Sequence, residues 1–469
     1  MIGGREHHDV NSLRQILARL LRHYGMAVAL VLLCVYYSVR TNTAMQPTGA
    51  DGARQLAGRV RGTGHVLIVG RATDEDRAFL AALEAALRLA NVAFTKVEGE
   101  PRDARVALEQ LAAAGKQVAL IATTTDCASW TILQNAGARF PALGQPKIAV
   151  PESYRWPAFL TRQNLLNVAN QIAVVAILAV GVTVVIITGG IDLSVGSLIA
   201  LSAVVVSVLI RDFAGGMHAG AAALLGCSLA GVALCAFVGL FSGAMVAGFK
   251  VPPFIATLAV MQVASGLSFI VAKGGSIYEI PDSFTWLGRS IGPLGIPNAV
   301  WLMLGLYAAT HVLMTRTVLG RHIYAVGGNP QAARFSGVNI ALVLLFAYSF
   351  CGAMAGLGGV LQASQLKSGA PTYGVMYELY AIAAVVVGGT SLSGGEGRVF
   401  GTLIGAFIIA VIQNGMNLTG VESYRQKVVL GLVILGAVLL DMLKKQDWRA
   451  VLRRRFGTAE ISAPVPRNT

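Results

Sequence analysis

Long apolar runs separated by short polar joints dominate the chain, and they set the first expectation. Runs long enough to span a bilayer fall at residues 24–41, 165–188, 193–211, 220–247, 253–273, 297–316, 339–362, 375–391, 398–417 and 426–443, where a helix of roughly 20 apolar residues covers about 30 Å of hydrocarbon. Any one of these runs also reads as a buried helix of a soluble protein. Nine of them following closely after residue 164 do not, because a soluble core cannot shelter so many fully apolar helices. The pattern predicts an all-α polytopic membrane protein with about ten transmembrane helices.

Residues 42–164 break this pattern with scattered charges and alternating periodicities. Strands are predicted at 65–69, 92–97, 117–122 and 147–150, and helices at 74–90, 102–114 and 129–136, which describes a small inserted α/β domain with a parallel sheet. Its first strand-to-helix turn, Val69-Gly70-Arg71-Ala72-Thr73-Asp74, lacks the G-x-G-x-x-G spacing of a phosphate-binding turn and carries acids where phosphate would sit. Thr73 or Asp74 is expected to cap the helix that follows. The domains expected are therefore 1–23, 24–41 as a first span, 42–164 as the insert, 165–443 as the membrane domain, and 444–469 as a tail.

Composition agrees with the membrane reading. Hydrophobic residues make up 55%, charged residues 13%, and mean hydropathy is +0.64, beyond the range of ordinary soluble domains. The net charge of +14 does not indicate nucleic acid, because the basic residues are not gathered with aromatics on one soluble surface. They stand at the N-terminus (Arg5, Arg14, Arg19, Arg22), around residues 316–334, and in the tail (Lys444, Lys445, Arg449, Arg453, Arg454, Arg455). Threading the spans from a cytoplasmic N-terminus puts Lys250, Arg316, Arg321, Arg334 and the tail inside, in keeping with the positive-inside rule. Both termini are thus expected in the cytoplasm and the insert on the outer face. Residues 26–37 also resemble the apolar core of a signal peptide, but the leading segment is long for that role, which favours an uncleaved anchor. Cys34, Cys227, Cys235 and Cys351 lie in apolar stretches and Cys127 in the insert; no pairing suggests disulfides or a metal site, and no cofactor is expected.

In the membrane portion, Gly189-Gly190-Ile191-Asp192-Leu193-Ser194-Val195-Gly196-Ser197 joins the second and third spans. An acid there is costly and is kept either to cap the third helix or to serve coupling or gating. This run is similar to the signature of permease subunits of ribose/xylose-type ABC sugar importers, a family of inner-membrane monosaccharide permeases. Three further stretches resemble the same family in order: 320–338 (GRHIYAVGGNPQAARFSGV), Glu378 through Gly388-Gly389-Thr390, and Gly401-Thr402 through Asn414-Gly415-Met416-Asn417-Leu418. The likeness covers about residues 165–443. The chain departs from the family where roughly 120 residues replace the short loop usual after the first span.

The resemblance implies that 320–338 is a cytoplasmic loop docking on the ATPase, with Gly320, Arg321, Ala325, Gly327, Asn329, Ala332, Ala333, Ser336 and Gly337 as its coupling residues. On its own composition the segment reads as a short helix with Asn329 as cap and Pro330 in its first turn, or as a solvated basic loop. No G-x-x-x-x-G-K-[ST] occurs, so hydrolysis must come from a separate ATP-binding ABC subunit. The chain is read as a transport subunit, not an enzyme, expected to work as a homodimer with an extracytoplasmic sugar-binding protein. Uncharged amides suit neutral, hydroxyl-rich solutes because they both donate and accept; the translocation-path candidates are Asn170, Gln171, Asp192, Gln262, Gln362, Gln365, Glu378, Asn414 and Asn417, with Glu378 placed near the outer mouth. Interhelical hydrogen bonding competes with that role for each, and His311 is expected to pack. Gly239 with Gly243, Gly352 with Gly356, and Gly401 with Gly405 are spaced for close helix approach. A membrane sensor with a ligand-binding outer domain and an ion-coupled carrier are the alternative classes; the first needs a cytoplasmic output domain, the second buried charge pairs.

Overall fold

Helix α1 (Gly25–Arg40) opens the described part of the computed structural model, which covers residues 25–60 and 64–445. The N-terminal segment expected at 1–23 and the basic tail beyond residue 445 lie outside the described residues. Chain contacts separate two units: Thr41–Leu160, and the residues on either side of it.

The first of these is an α/β unit. Strand β1 (Asn42–Met45) and helix α2 (Gly49–Val60) lead into β2 (His65–Gly70), α3 (Asp74–Leu89), β3 (Phe94–Glu98), α4 (Pro101–Ala113) and β4 (Val118–Thr123). Three single helical turns follow, α5 (Thr125–Ala128), α6 (Thr131–Gln134) and α7 (Ala136–Arg139), then β5 (Lys147–Ala149) and β6 (Tyr154–Pro157). The sheet is parallel, in the order β3-β2-β4-β5. Strand β2 is buried on both faces, as a central parallel strand must be. Leu67, Val69 and Ile121 face α4 and α6, while Val66 and Ile68 face α2 and α3, so alternation along one strand feeds two cores. Thr73 caps α3 by accepting from the Asp76 amide at 3.3 Å.

Three features correct the expectation. The single helix expected at 129–136 is replaced by the separate turn α6 and the start of α7, with Trp130 non-helical before α6 and Asn135 breaking the helix between them. Helix α2 was not foreseen, because its Arg, Asp and Gly residues dilute the apolar spacing. Nor was the antiparallel ribbon in which β1 pairs with β6, Asn42 opposite Pro157, since residues so far apart carry no local pairing signal.

The second unit contains α1, α8 (Arg162–Ile187), α9 (Val195–Phe213), α10 (Ala221–Gly248), α11 (Pro253–Val271), the short α12 (Trp286–Arg289), α13 (Asn298–Arg316), α14 (Val318–Gly328), α15 (Pro330–Phe335), α16 (Ile340–Leu366), α17 (Tyr377–Val387), α18 (Val399–Leu418) and α19 (Ser423–Lys445). Among the described residues, seven of these are long and apolar enough to cross a membrane: α8, α9, α10, α11, α13, α16 and α18. The chain is a multi-span helical membrane protein. Helix α8 is the central one, with 89% of its most apolar window buried. The run expected as a full span at 375–391 is instead an eleven-residue helix, α17, about 16 Å long at 1.5 Å per residue. Residues 367–376 before it are not helical, and Lys367 and Met376 take left-handed backbone angles at its two ends.

Helices α10 and α16 pack main chain against main chain. A Cβ placed on Gly239 would collide with the Tyr348 carbonyl, and one on Gly352 with the Cys235 carbonyl. The glycine spacing read from the sequence thus marks a real seam, in which small residues let backbones approach where lipid supplies no hydrophobic drive for association. Replacing Gly352 with valine is expected to lower stability by about 1–3 kcal/mol through overpacking. The control is Gly226→Val, a position with nothing within 4 Å of an added Cβ; thermal unfolding of the two variants in detergent should separate them clearly.

Candidate functional site

Two breaks in helical structure shape the interior of the membrane unit. After Thr188, whose amide still bonds the Val184 carbonyl at 3.3 Å, residues 189–194 cross the bundle without α-helical bonding, with Gly190, Asp192 and Ser194 buried. Gly190 lies against the Tyr348 hydroxyl, whereas Gly359 packs on the Ile199 carbonyl at 2.5 Å from an added Cβ. Tyr348 and Gly359 are eleven residues apart on α16, so the chain climbs about 16 Å between these levels. Non-helical backbone at such depth is tolerated only inside protein or along a cavity. The second break runs the other way. Gly369 packs on Ala203 and Ser207, and Gly374 on Gly196 and Ile199, so residues 369–374 descend along α9 by roughly 10 Å.

The first turns of α9 and α17 therefore meet inside the bundle. The Glu378 carboxylate lies against Gly196, and the Gly374 carbonyl would be 2.6 Å from a Cβ there. Glu378 is half-buried there, because the segment before it folds back along α9 instead of extending a helix. Together with Gln262, Ser197, Ser265 and Tyr373 it lines a cavity of 200 Å³.

Asp192 belongs to the first break. Its Oδ1 accepts from the Ser194 amide at 2.9 Å and the Ser194 hydroxyl at 2.6 Å. It thus shapes the turn before α9, while Ser194 itself takes the N-cap position. Its side chain is fully buried, and Oδ2, like the Tyr348 hydroxyl, makes no hydrogen bond among the described residues.

A larger cavity, 390 Å³, opens where α8 and α17 begin, α16 and α18 end, and α19 begins. It brings together Gln171, Gln362, Gln365, Asn414 and Asn417 of the residues named from the sequence; the sequence reading passed over Gln413, Gln426, Tyr377 and Tyr380. Gln413 could have been found, since it stands one helical turn before Asn417 and shares its face. Gln426 could not, because its place depends on the turn joining α18 to α19. The wall is held by amide pairing: Asn164 and Asn414 exchange hydrogen bonds of 3.0 and 2.9 Å, Gln426 donates to Asn417 at 2.8 Å, and Gln365 donates to the Asn170 carbonyl at 2.9 Å. Asn170 donates to the Gly288 carbonyl at 3.3 Å and stands outside both cavities, as does Asp192. His311 packs against Phe400 with ring centroids 4.8 Å apart and the planes tilted by 49°.

The segment 320–338 lies at the opposite end of α8. Helix α14 and the six-residue α15 meet at Asn329, whose side chain accepts from the Ala332 amide at 3.0 Å, with Pro330 in the first turn. Gly327 presses on the Ile187 carbonyl and on the Gly395 amide, 2.6 Å from an added Cβ; that same amide donates to Ile187 at 2.9 Å. Tyr324 donates to the Gly397 carbonyl at 2.8 Å. Gly320 is tight against the carbonyls of Leu313 and Met314, and Ala333 is buried, whereas Arg321, Ala332, Ser336 and Gly337 are exposed, as is Phe335 at 91%. Ala325 lies on α14, and its carbonyl accepts from the Asn329 amide at 3.0 Å. From Gln171 in the cavity to Ile187 at this clasp, α8 runs sixteen residues, about 24 Å.

In the α/β unit, Arg71 bonds Asp76 at 3.0 Å and Asp126 at 2.5 Å. Burial pushes the nearby Cys127 thiol above its ordinary range, so it stays protonated at neutral pH and is a poor nucleophile.

A helical membrane unit with inward-folded breaks, an uncharged amide-lined cavity at one end and a clasped helix pair at the other is the architecture of a solute permease. The family described as branched-chain amino acid transport system / permease component matches residues 164–438. The chain is 46% identical over 294 residues to the ribose import permease protein of Escherichia coli (strain K12), covering 62% of this chain and 88% of that one. It is 43% identical over 315 residues to the ribose import permease protein of Bacillus subtilis (strain 168), covering 67% and 94%, and 36% identical over 286 residues to the D-allose transport system permease protein of E. coli K12, covering 61% and 85%. The chain belongs to this permease family, in its ribose-type sugar ABC importer branch. No solved structure matches it. The family match starts after the α/β unit.

The environment of Asp192 gives a sharp expectation. Asp192→Asn keeps the Oδ1 acceptor for Ser194 and should leave stability near that of the parent. Asp192→Ala strips the acceptor from two buried donors and should cost about 1–3 kcal/mol, read as a lowered thermal midpoint in detergent.

Proposed function

We propose that this chain is the membrane subunit of an ATP-driven importer that carries a monosaccharide across a bacterial-type inner membrane. The amide-lined cavity carries the reading: seven uncharged amides from four helices converge with Tyr377 and Tyr380 on one space, a lining that can donate to and accept from a neutral polyol without desolvating a fixed charge. The ribose import permeases to which the chain is similar support the same solute class. The path leads from this cavity, through Gln171, Gln365, Asn414 and Asn417, toward the smaller recess at Gln262 and Glu378. Asn170 and Asp192 act on it indirectly, by holding Gly288 and the turn before α9.

Power comes from a separate ATP-binding subunit that docks on α14 and α15. Docking uses the exposed Arg321, Ala332, Ser336 and Gly337, while Gly320, Ala325, Gly327, Asn329 and Ala333 hold the helix pair in place. Because Gly327 is clasped to the ends of α8 and to the loop before α18, movement of the pair reaches the cavity along α8. The helices α1, α17 and α19 complete ten crossings with the seven long ones, α17 as a partial one. Both termini, including 1–23 and 444–469, face the cytoplasm, and residues 42–164 face outward. A second copy of the chain, surrounding lipid and an extracytoplasmic sugar-binding protein complete the assembly.

Two outcomes test this reading in proteoliposomes with the partner ATPase. Gly327→Val should reduce sugar uptake at least tenfold, a change of about 1.4 kcal/mol, while insertion is retained and ATP hydrolysis continues; unchanged uptake would remove the coupling role. Gln171→Leu and Gln365→Leu should each weaken the apparent affinity for ribose about fivefold, for the loss of about 1 kcal/mol of hydrogen bonding. Equal affinity in both variants would move the path elsewhere.

A further inference from the structure

The α/β unit contains a cavity that sugar transport does not use. It measures 580 Å³ and lies between the first turns of α4 and residues 129–139. These segments follow β3 and β4, so the cavity sits at the C-terminal edge of the parallel strands. Open α/β sheets bind ligands at that edge. On the same edge, the crevice between β2 and β4 is closed by its own charges, since Arg71 is shared between Asp76 and Asp126.

The neighbouring cavity is not neutralised in this way. Arg102, Arg105 and Arg139 line it with Trp130, Thr131 and Asn135. Arg105 pairs with Glu109 at 2.8 Å, whereas Arg102 and Arg139 make no ion pair among the described residues. The two acids that flank Arg102 in sequence are committed to the start of α4: Asp103 accepts from the Glu100 amide at 2.8 Å, and Glu100 completes the capping box. Two unpaired guanidiniums offer planar, charge-assisted donors to an oxyanion. The half-buried indole of Trp130 offers a flat apolar face beside them, and the Thr131 hydroxyl and Asn135 amide add neutral donors and acceptors.

We propose that this cavity binds a soluble sugar bearing a single anionic group, a carboxylate or a phosphate. The guanidiniums take the anionic oxygens, Trp130 covers the ring, and the neutral side chains take hydroxyls. Such a ligand differs in charge from the solute suited to the amide-lined cavity, so the α/β unit senses a charged sugar instead of feeding the path, and the proposal stands apart from the transport reading.

The test is calorimetric titration of the full chain in detergent with ribose 5-phosphate, glucuronate, ribose and inorganic phosphate. The two anionic sugars should bind, with Arg102→Ala, Arg139→Ala and Trp130→Ala each weakening them about tenfold and leaving ribose binding untouched. Arg102→Lys should restore part of the loss, and unchanged thermal unfolding of the variants shows that the unit is folded. Absence of binding by both anionic sugars, unaltered binding in the Arg102/Arg139 double variant, or inorganic phosphate binding as tightly as ribose 5-phosphate would each overturn the proposal. So would capture by anionic-lipid vesicles that depends on these arginines without any sugar binding, which would assign the cavity to a headgroup.

Discussion

Close approach of main chains at glycine is the constraint on which the membrane unit depends. Helices in lipid gain little by hiding apolar surface from one another, so packing distance and hydrogen bonding decide which of them associate. Gly239 against Gly352, Gly405 against the Ala384 carbonyl, and Gly327 against the Ile187 carbonyl are three instances at three places in the bundle. Each brings a peptide group close enough that even a methyl would part the elements. At the clasp the approach also satisfies backbone polarity, because the Gly395 amide finds the Ile187 carbonyl at the end of α8.

That constraint permits the two inward-folded segments. A stretch such as 189–194 leaves peptide groups without helical partners, and burying it requires neighbours that supply them. Ser194 finds Asp192, and the Gly369 amide and carbonyl pair with Ile277 across a short bridge at 2.9 and 2.8 Å. The same folding places the starts of α9 and α17 face to face, with the Glu378 carboxylate against Gly196. Irregular backbone thus lies inside regular helical walls, and the breaks supply polar groups at depth.

Much of this was legible from the residues. Apolar run length located every long crossing, and the glycine spacing located the α10–α16 seam, because both are local properties of one helix face. The cap at Asn329 and the cap at Thr73 were legible for the same reason. The half-length of α17 was not. Residues 375–387 are as apolar as a full span, and only the packing of Gly369 and Gly374 on α9 shows that the chain before them is already inside. The cavity was partly legible: Gln171, Gln365, Asn414 and Asn417 stand out as amides in apolar surroundings, but Gln426 and the two tyrosines join them through tertiary turns. Asp192 was conspicuous as an acid, yet its role as a turn former depends on a partner two residues away and on burial that composition does not report.

The β1–β6 ribbon has a separate implication. Paired strands sit about 4.8 Å apart, so the α/β unit begins and finishes at almost one point in space, Thr43 opposite Trp156. A module with adjoining ends can be gained, lost or exchanged during evolution without stretching the polypeptide that hosts it. For the experimenter, the ribbon marks a natural graft junction where fluorescent or affinity modules can replace the native one.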